Sequence, residues 1–451
     1  MEPASRPQPA VSRPFEVTHG LVLSIAVPMT LGFLTTPLLG LTDTAVVGRL
    51  GQAEALAGLA IGAILFDLIY GSLSFFRTAT TGLAAQAFGR ADERELQAVF
   101  WRATLSALAL GALMLALAPV ILWAAPDLMT DDRSVQAVVR DYFAIRVISS
   151  PATFLNYAIL GFVFGRGQPK FGLALQILLN GTNILLSIIL GLWLGWGVAG
   201  VAWGTAAAEV LAAAVGLALV VRRFSPGSRP TRADLLDRHK LKQLFQLNAD
   251  ILIRSLVLNG AFALLTKVGS SFGAVTLAAN AVLMNIFMLS SFFLDGLAGA
   301  AEQLSGRAVG ANYRPSFNRA IKLTAVWSFA MAGVLAAFFL LFGQPIIQLL
   351  TTSPEVREIA IAYLPWAAMT GLAGALAFQM DGVFIGATWS REMRNMMLMS
   401  FAAYCVALLT LVPAYANHGL WAALNLFLLM RGVFLAAMVP RKTAQSFIAA
   451  Q

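Results

Sequence analysis

The stretch "HGLVLSIAVPMTLGFLTTPLLGLTDTAVVGR", residues 19–49, decides the fold. It is apolar or small over more than enough residues to cross the ~30 Å hydrocarbon core of a bilayer, which takes about 20 helical residues. It also carries a carboxylate, Asp43, before the apolar run ends. An ionised side chain at depth costs roughly 2.5–3.5 kcal/mol on insertion scales. The stretch therefore reads as a membrane span that keeps a charged residue for a purpose. Pro28 and Pro37 inside it allow the helix to bend and free backbone carbonyls. The run is too long for a signal-peptide core, so it reads as a retained first span.

Working outward, similar runs recur near 53–80, 97–124, 136–162, 170–194, 198–222, 243–268, 275–303, 319–343, 357–386, 394–414 and 418–439. With the first, near 18–46, they make twelve expected helices, because the runs are continuous and not alternating. Composition agrees: 59% of residues are hydrophobic and 12% charged, against about 25% charged in soluble domains. The expected fold class is an all-α membrane protein, with twelve transmembrane helices in two six-helix bundles.

The net charge of +9 invites a nucleic-acid reading, but its distribution argues for topology instead. With both termini in the cytoplasm, only Arg49, Arg133, Arg140, Lys267 and Arg357 fall outside. Arg77, Arg146, Arg254 and Arg431 lie within spans, and every other Lys or Arg falls inside. That is the positive-inside bias, and no nucleic acid is needed to explain it. Cys405 is the single cysteine and His19, His239 and His418 fall near segment ends, which excludes a disulfide framework and a multi-cysteine metal site. No metal or cofactor is expected beyond a coupling ion.

The expected organisation is a flexible tail (1–17), an N-terminal bundle (18–222), a basic cytoplasmic linker (223–242), a C-terminal bundle (243–440) and a tail (441–451). The linker is expected to touch anionic headgroups. The halves repeat. "GLAAQAFGR" (82–90) matches "GAAEQLSGR" (299–307), "GFVFG" (161–165) matches "GVFIG" (382–386), and "GVAGVAW" (197–203) parallels "GLWAALN" (419–425). The offsets are 217, 221 and 222. Six spans per repeat is an even number, so both halves enter from one side. Their relation is then a pseudo-two-fold axis along the membrane normal, a transporter architecture.

The strings "GLTDTAVVGRLG" (40–51), "RTATTGLAAQAFG" (77–89), "LLNGTNILL" (178–186), "GWGVAGVAWGT" (195–205), "LNADILIRSL" (247–256), "DGVFIGAT" (381–388), "EMRN" (392–395) and "NHGLW" (417–421) together resemble the MATE (multidrug and toxic compound extrusion) family. Their order is most similar to its DinF-like branch, over nearly the whole chain. The resemblance implies two six-helix bundles around a cavity, and export driven by inward proton or sodium flow. It also implies a bacterial cytoplasmic (inner) membrane, small organic substrates, contact with membrane lipids and a monomer.

Asp43 is the expected proton-coupling residue. A carboxylate in low dielectric favours its neutral form, so it can load and release protons. The alternative is a capping or solvated residue at the outer interface. The family places a coupling carboxylate at this position. Thr42, Asn180, Asn183 and Ser187 are its expected polar partners. Related sequences often carry a second carboxylate where Ser187 stands. One titrating group suits a proton better than sodium, whose cage wants several oxygens. The two asparagines have an alternative reading as helix–helix hydrogen bonds.

In the C-terminal half, Asp250, Arg254, Asp295, Glu302 and Asp381 form an expected charge network, either a structural lock or a coupling device. Arg254 is expected to pair with Asp381 or Asp295, and Arg77 with Asp67. Phe33, Phe154, Phe287 and Met288 are candidates to line a re-packable substrate cavity; most residues of these types pack helices or face lipid. No P-loop is present, so ATP is not expected to drive transport. The competing functions are a flippase for lipid-linked precursors and an intramembrane enzyme. A flippase wants a more cationic interior than four intramembrane arginines supply. An enzyme lacks a histidine at depth, so the chain is expected not to be one.

Overall fold

Helix α1 (His19–Gly48) realises the opening stretch as one helix through Pro28 and Pro37. The computed structural model describes residues 13–447. Residues 1–12 of the expected N-terminal tail, Arg6 among them, and 448–451 of the C-terminal tail lie outside them.

After α1 come α2 (Ala53–Phe66), a π-helical turn (Asp67–Gly71), α3 (Phe75–Gly89), α4 (Glu93–Met129), α5 (Arg133–Ile148), α6 (Ser150–Gly165) and α7 (Pro169–Leu186). A second π-helical segment (Ser187–Trp193) leads to α8 (Gly197–Val221), the short α9 (Arg232–Leu235), α10 (Arg238–Ser270), α11 (Ala274–Gly310), α12 (Arg314–Leu350), α13 (Pro354–Gly386) and α14 (Ser390–Ser446). There is no strand among the described residues. Ten helices are long and apolar enough to span a membrane, and α5 with α6, bent by 53°, forms an eleventh span. Helix α14, 57 residues long, is two helices joined at Ala416 (φ 48°, ψ −126°). The twelve expected spans are thus present, with α2 and α3 sharing one.

The backbone repeats itself. Left-handed residues terminate helices at Ala91, Gly167 and Gly195, and again 221 residues later at Asn312, Thr388 and Ala416. Gly51 and Gly273 form a fourth pair, at an offset of 222. The close crossings repeat as well. A Cβ on Gly161 would collide with the carbonyl of Arg77, and one on Gly382 with the carbonyl of Ala298. Likewise, one on Gly89 would meet the carbonyl of Arg307, and one on Gly310 the carbonyl of Gln86. Each of these is paired at an offset of 221, so the expected match of residues 82–90 with 299–307 is out of register by four residues. Four residues is about one helical turn, so both registers put the same kinds of side chain on one face.

The chain forms two compact units. One comprises Ser24–Ala84 and Arg94–Gly260. The other comprises the residues through Leu23, the segment Ala85–Glu93, and the residues from Ala261 on. In the second unit the amide of Gln86 donates to the carbonyl of Gly386 (3.0 Å) and to the Thr388 hydroxyl (3.1 Å).

The linker carries structure of its own. Thr231 and Asp234 form a capping box on α9. Arg94 of α4 pairs with Asp234 (2.6 Å), and Lys240 pairs with Glu95, which also takes Arg102.

Candidate functional site

On either side of Pro37, two hydroxyls of α1 bond back to the helix backbone. Thr35 donates to the carbonyl of Gly32 (2.6 Å) and Thr42 to that of Leu38 (2.8 Å). Such back-bonding is the usual use of Thr in a bent span. The Thr42 hydroxyl, an expected partner of Asp43, therefore serves the helix backbone instead. Asp43 stands about 8 Å along the helix from its end at Gly48, at 1.5 Å per residue.

Helix α7 supplies the partners. Gly32 of α1 lacks the Cβ that would overlap the Gln176 side chain, so α7 comes close. Asn180 donates to the Thr35 hydroxyl. Ser187 donates to Asp43 Oδ1 at 2.9 Å and lies 3.1 Å from Asn183 Oδ1. Of the expected partners, Ser187 meets Asp43 directly, Asn183 meets it through Ser187, and Asn180 meets Thr35. Ser187 opens the π-helical segment, a feature frequent at functional sites. Helix α8 holds that segment in place: a Cβ on Gly204 would stand 2.9 Å from the Ser187 amide, and one on Gly200 2.6 Å from the Leu190 carbonyl.

Deeper in the same unit lies a group that the sequence did not announce. Arg146 of α5 clamps Glu209 of α8 with both terminal nitrogens (3.0 and 3.1 Å). Ser149 (2.6 Å) and Thr153 (2.8 Å) donate to the same carboxylate. Asn156 donates to the main-chain carbonyl of Glu209 (2.9 Å). The guanidinium lies 4.0 Å from the Phe66 ring centroid. Arg146 and Glu209 are both buried, and each charge is paired with the other, as buried charges must be. Their separation of 63 residues leaves no trace in helical spacing. Arg77, expected beside Asp67, places its guanidinium over Phe33, 5.2 Å from the ring centroid.

A family profile described as MatE matches residues 28–189 and 251–415. The chain belongs to the MatE family. It is 36% identical over 423 residues to the DNA damage-inducible protein F of Escherichia coli, covering 92% of this chain and 90% of that protein. It is 27% identical to a probable multidrug resistance protein NorM of Deinococcus radiodurans, covering 95% and 96%. A solved MOP superfamily transporter from Pyrococcus furiosus shares the fold with a TM-score of 0.86 at 17% identity, covering 96% and 97%. The MatE chain is therefore a multi-span membrane transporter of a family whose members include multidrug efflux proteins, and such a family implies small-molecule substrates.

In the C-terminal half of this MatE chain, Asp381 accepts from Arg431 at 2.7 Å, and both are buried. The structure thus supplies Asp381 with a partner that spacing did not name. Glu302 and Asp250 are buried, while Asp295 and Arg254 are half-buried. Asp250 and Arg254 belong to the unit that also holds Asp43, and Asp295, Glu302 and Asp381 to the other. The five residues expected as one network are therefore divided by sequence between the units.

The cavity candidates fare differently. Phe154 is fully buried, stacked on Tyr70 at 5.4 Å, and Phe287 is buried against Phe262. Both serve as packing residues in this conformation. Phe33 meets Phe164 edge-on, and Met288 is half exposed. No group of three or more metal-ligating side chains occurs among the described residues.

Proposed function

We propose that the protein exports amphipathic, often cationic, organic compounds across the bacterial cytoplasmic membrane in exchange for protons, by alternating access. The observation that carries this reading is the chain Asp43–Ser187–Asn183. Ser187 has one hydroxyl hydrogen and two acceptors within reach. With Asp43 ionised, that hydrogen goes to Asp43. With Asp43 protonated, the acid donates to Ser187 Oγ, and the Ser187 hydrogen turns to Asn183. One rotating hydroxyl therefore satisfies both charge states of a carboxylate that makes no ion pair among the described residues. Arg146, the cation whose field reaches Asp43, is already held by Glu209. A single titrating group of this kind favours a proton over sodium.

Proton and substrate then compete for Asp43, and each shifts the conformational equilibrium by its differential affinity for the two states. The membrane potential contributes about 2.3 kcal/mol per charge per 100 mV. Asp43→Asn is expected to fold and insert but to lose efflux in cells, and to release no protons when substrate is added to purified protein. Efflux and proton release like those of the wild type would make Asp43 a structural residue and end this reading.

A further inference from the structure

Asp67 is an intramembrane carboxylate for which the coupling scheme has no use. It lies within the span Ala53–Gly89, about 21 Å along the helix from Ala53 at 1.5 Å per residue. It is exposed, and so are Ile64 (58%) and Leu68 (59%), one turn before it and one residue after it. A carboxylate at this depth cannot face lipid cheaply; such residues face the bundle interior or water. The face that it shares with Ile64 and Leu68 is an apolar wall carrying one negative charge.

Two features of the backbone and its surroundings set this position apart. Asp67 opens a π-helical turn, as Ser187 does in the other π-helical segment. The turn is anchored by Tyr70, whose hydroxyl bonds that of Ser150 and whose ring stacks on Phe66 at 3.8 Å. Phe66, the residue before Asp67, is covered on its ring by Arg146. Glu209, Arg77, Asp67 and Arg146 are the charged groups around the Tyr157 hydroxyl. Of these, Arg146 and Glu209 neutralise each other, and Arg77 lies over Phe33. Among the described residues, Asp67 is the anion of this group held by no ion pair within 4 Å.

We propose that Asp67 is a recognition residue for the exported compound, receiving the positive charge of a lipophilic organic cation whose apolar body lies on Ile64 and Leu68. This rests on the export reading and adds to it. Asp43 exchanges the proton, while Asp67 selects for cationic over neutral compounds and lies deeper from the outer helix ends.

Two measurements test it on the full-length protein. In a Cys405→Ser background, Asp67→Cys is expected to react with a membrane-impermeant cationic thiol reagent, and tetraphenylphosphonium is expected to slow the reaction. In binding to purified protein, Asp67→Asn is expected to weaken tetraphenylphosphonium by about tenfold or more, the scale of one close charge pair. Asp67→Glu should restore most of the affinity, and binding of neutral triphenylphosphine oxide should not change. An unreactive cysteine, equal affinity of the wild type and Asp67→Asn, or no saturable binding by the wild type overturns the proposal. Wild-type coupling in Asp43→Asn would instead overturn the antiport reading and leave the binding results standing.

Discussion

The two halves of the chain turn at the same places and carry charge at different ones. Gly161 and Gly382 seat their helices on the carbonyls of Arg77 and Ala298, 221 residues apart in both members. At that same offset Asp43 corresponds to Leu264, Ser187 to Leu408, Asp381 to Leu160 and Arg431 to Val210. The repeated parts are backbone contacts that any bundle of this topology needs. The parts that differ are polar side chains, and they differ in kind. Asp381 faces a guanidinium at 2.7 Å, while Asp43 faces a neutral hydroxyl at 2.9 Å. Taking a buried carboxylate away from its arginine carries a structural cost. A carboxylate held by a hydroxyl has no such penalty. The comparison therefore supports the proposed division, in which Asp381 serves the structure and Asp43 carries the proton.

The contrast breaks first at the ion pair. Arg431→Ala is expected to destabilise the protein by about 3–5 kcal/mol, the cost of breaking a buried ion pair from one side. Asp381→Asn in the same chain should recover part of that loss. Thermal unfolding in detergent measures both, and Asp43→Asn should barely move the same transition. Failure of the second change to rescue would remove the lock from Asp381.

The shared crossings come next. Gly161→Ala and Gly382→Ala each force a methyl into a carbonyl, an overpacking worth about 1–3 kcal/mol. Similar losses in both halves are expected; a loss in only one would mean that the repeat is not matched in energy.

The left-handed turns should give opposite signs at matched positions. Gly195 (φ 72°) corresponds to Ala416 (φ 48°). A side chain in that conformation costs about 1–2 kcal/mol, so Ala416→Gly should stabilise and Gly195→Ala should destabilise by about that amount. Equal signs in unfolding measurements would break the correspondence.

The smallest effect concerns the linker. The Thr231 main-chain N–H and hydroxyl, with Arg94 beside them, hold the Asp234 carboxyl down at about 2. A depressed value means that its contribution is complete above the ordinary carboxylate range and is lost as pH falls through about 2. Hydrogen-exchange protection of Thr231–Leu235, corrected for intrinsic rates, should stay level from pH 7 to pH 4. Loss of protection near pH 5 would place the cap elsewhere.

Much of the fold was legible because membrane insertion is written locally. Each span must satisfy its own backbone and present apolar side chains, so length and hydropathy reveal it one segment at a time. The basic residues repeat the message in the loops. Asp43 was legible for the same reason, since a charge within an apolar run stands out without any knowledge of its neighbours. The register of the repeat was not, because a shift of one helical turn preserves the pattern of a face. The left-handed turns and glycine crossings single out 221 among the three offsets. Partners were the least legible. Ser187 lies 144 residues from Asp43, Glu209 lies 63 from Arg146, and Arg431 lies 50 from Asp381. Spacing within one helix constrains neighbours three or four residues apart. Which helix faces which is decided by packing, where a missing Cβ on Gly204 or Gly32 lets one backbone approach another. The sequence by itself determined twelve spans and the residue that must be explained. The tertiary structure alone decided which charges are neutralised, because an ion pair is a distance between helices that no single helix encodes.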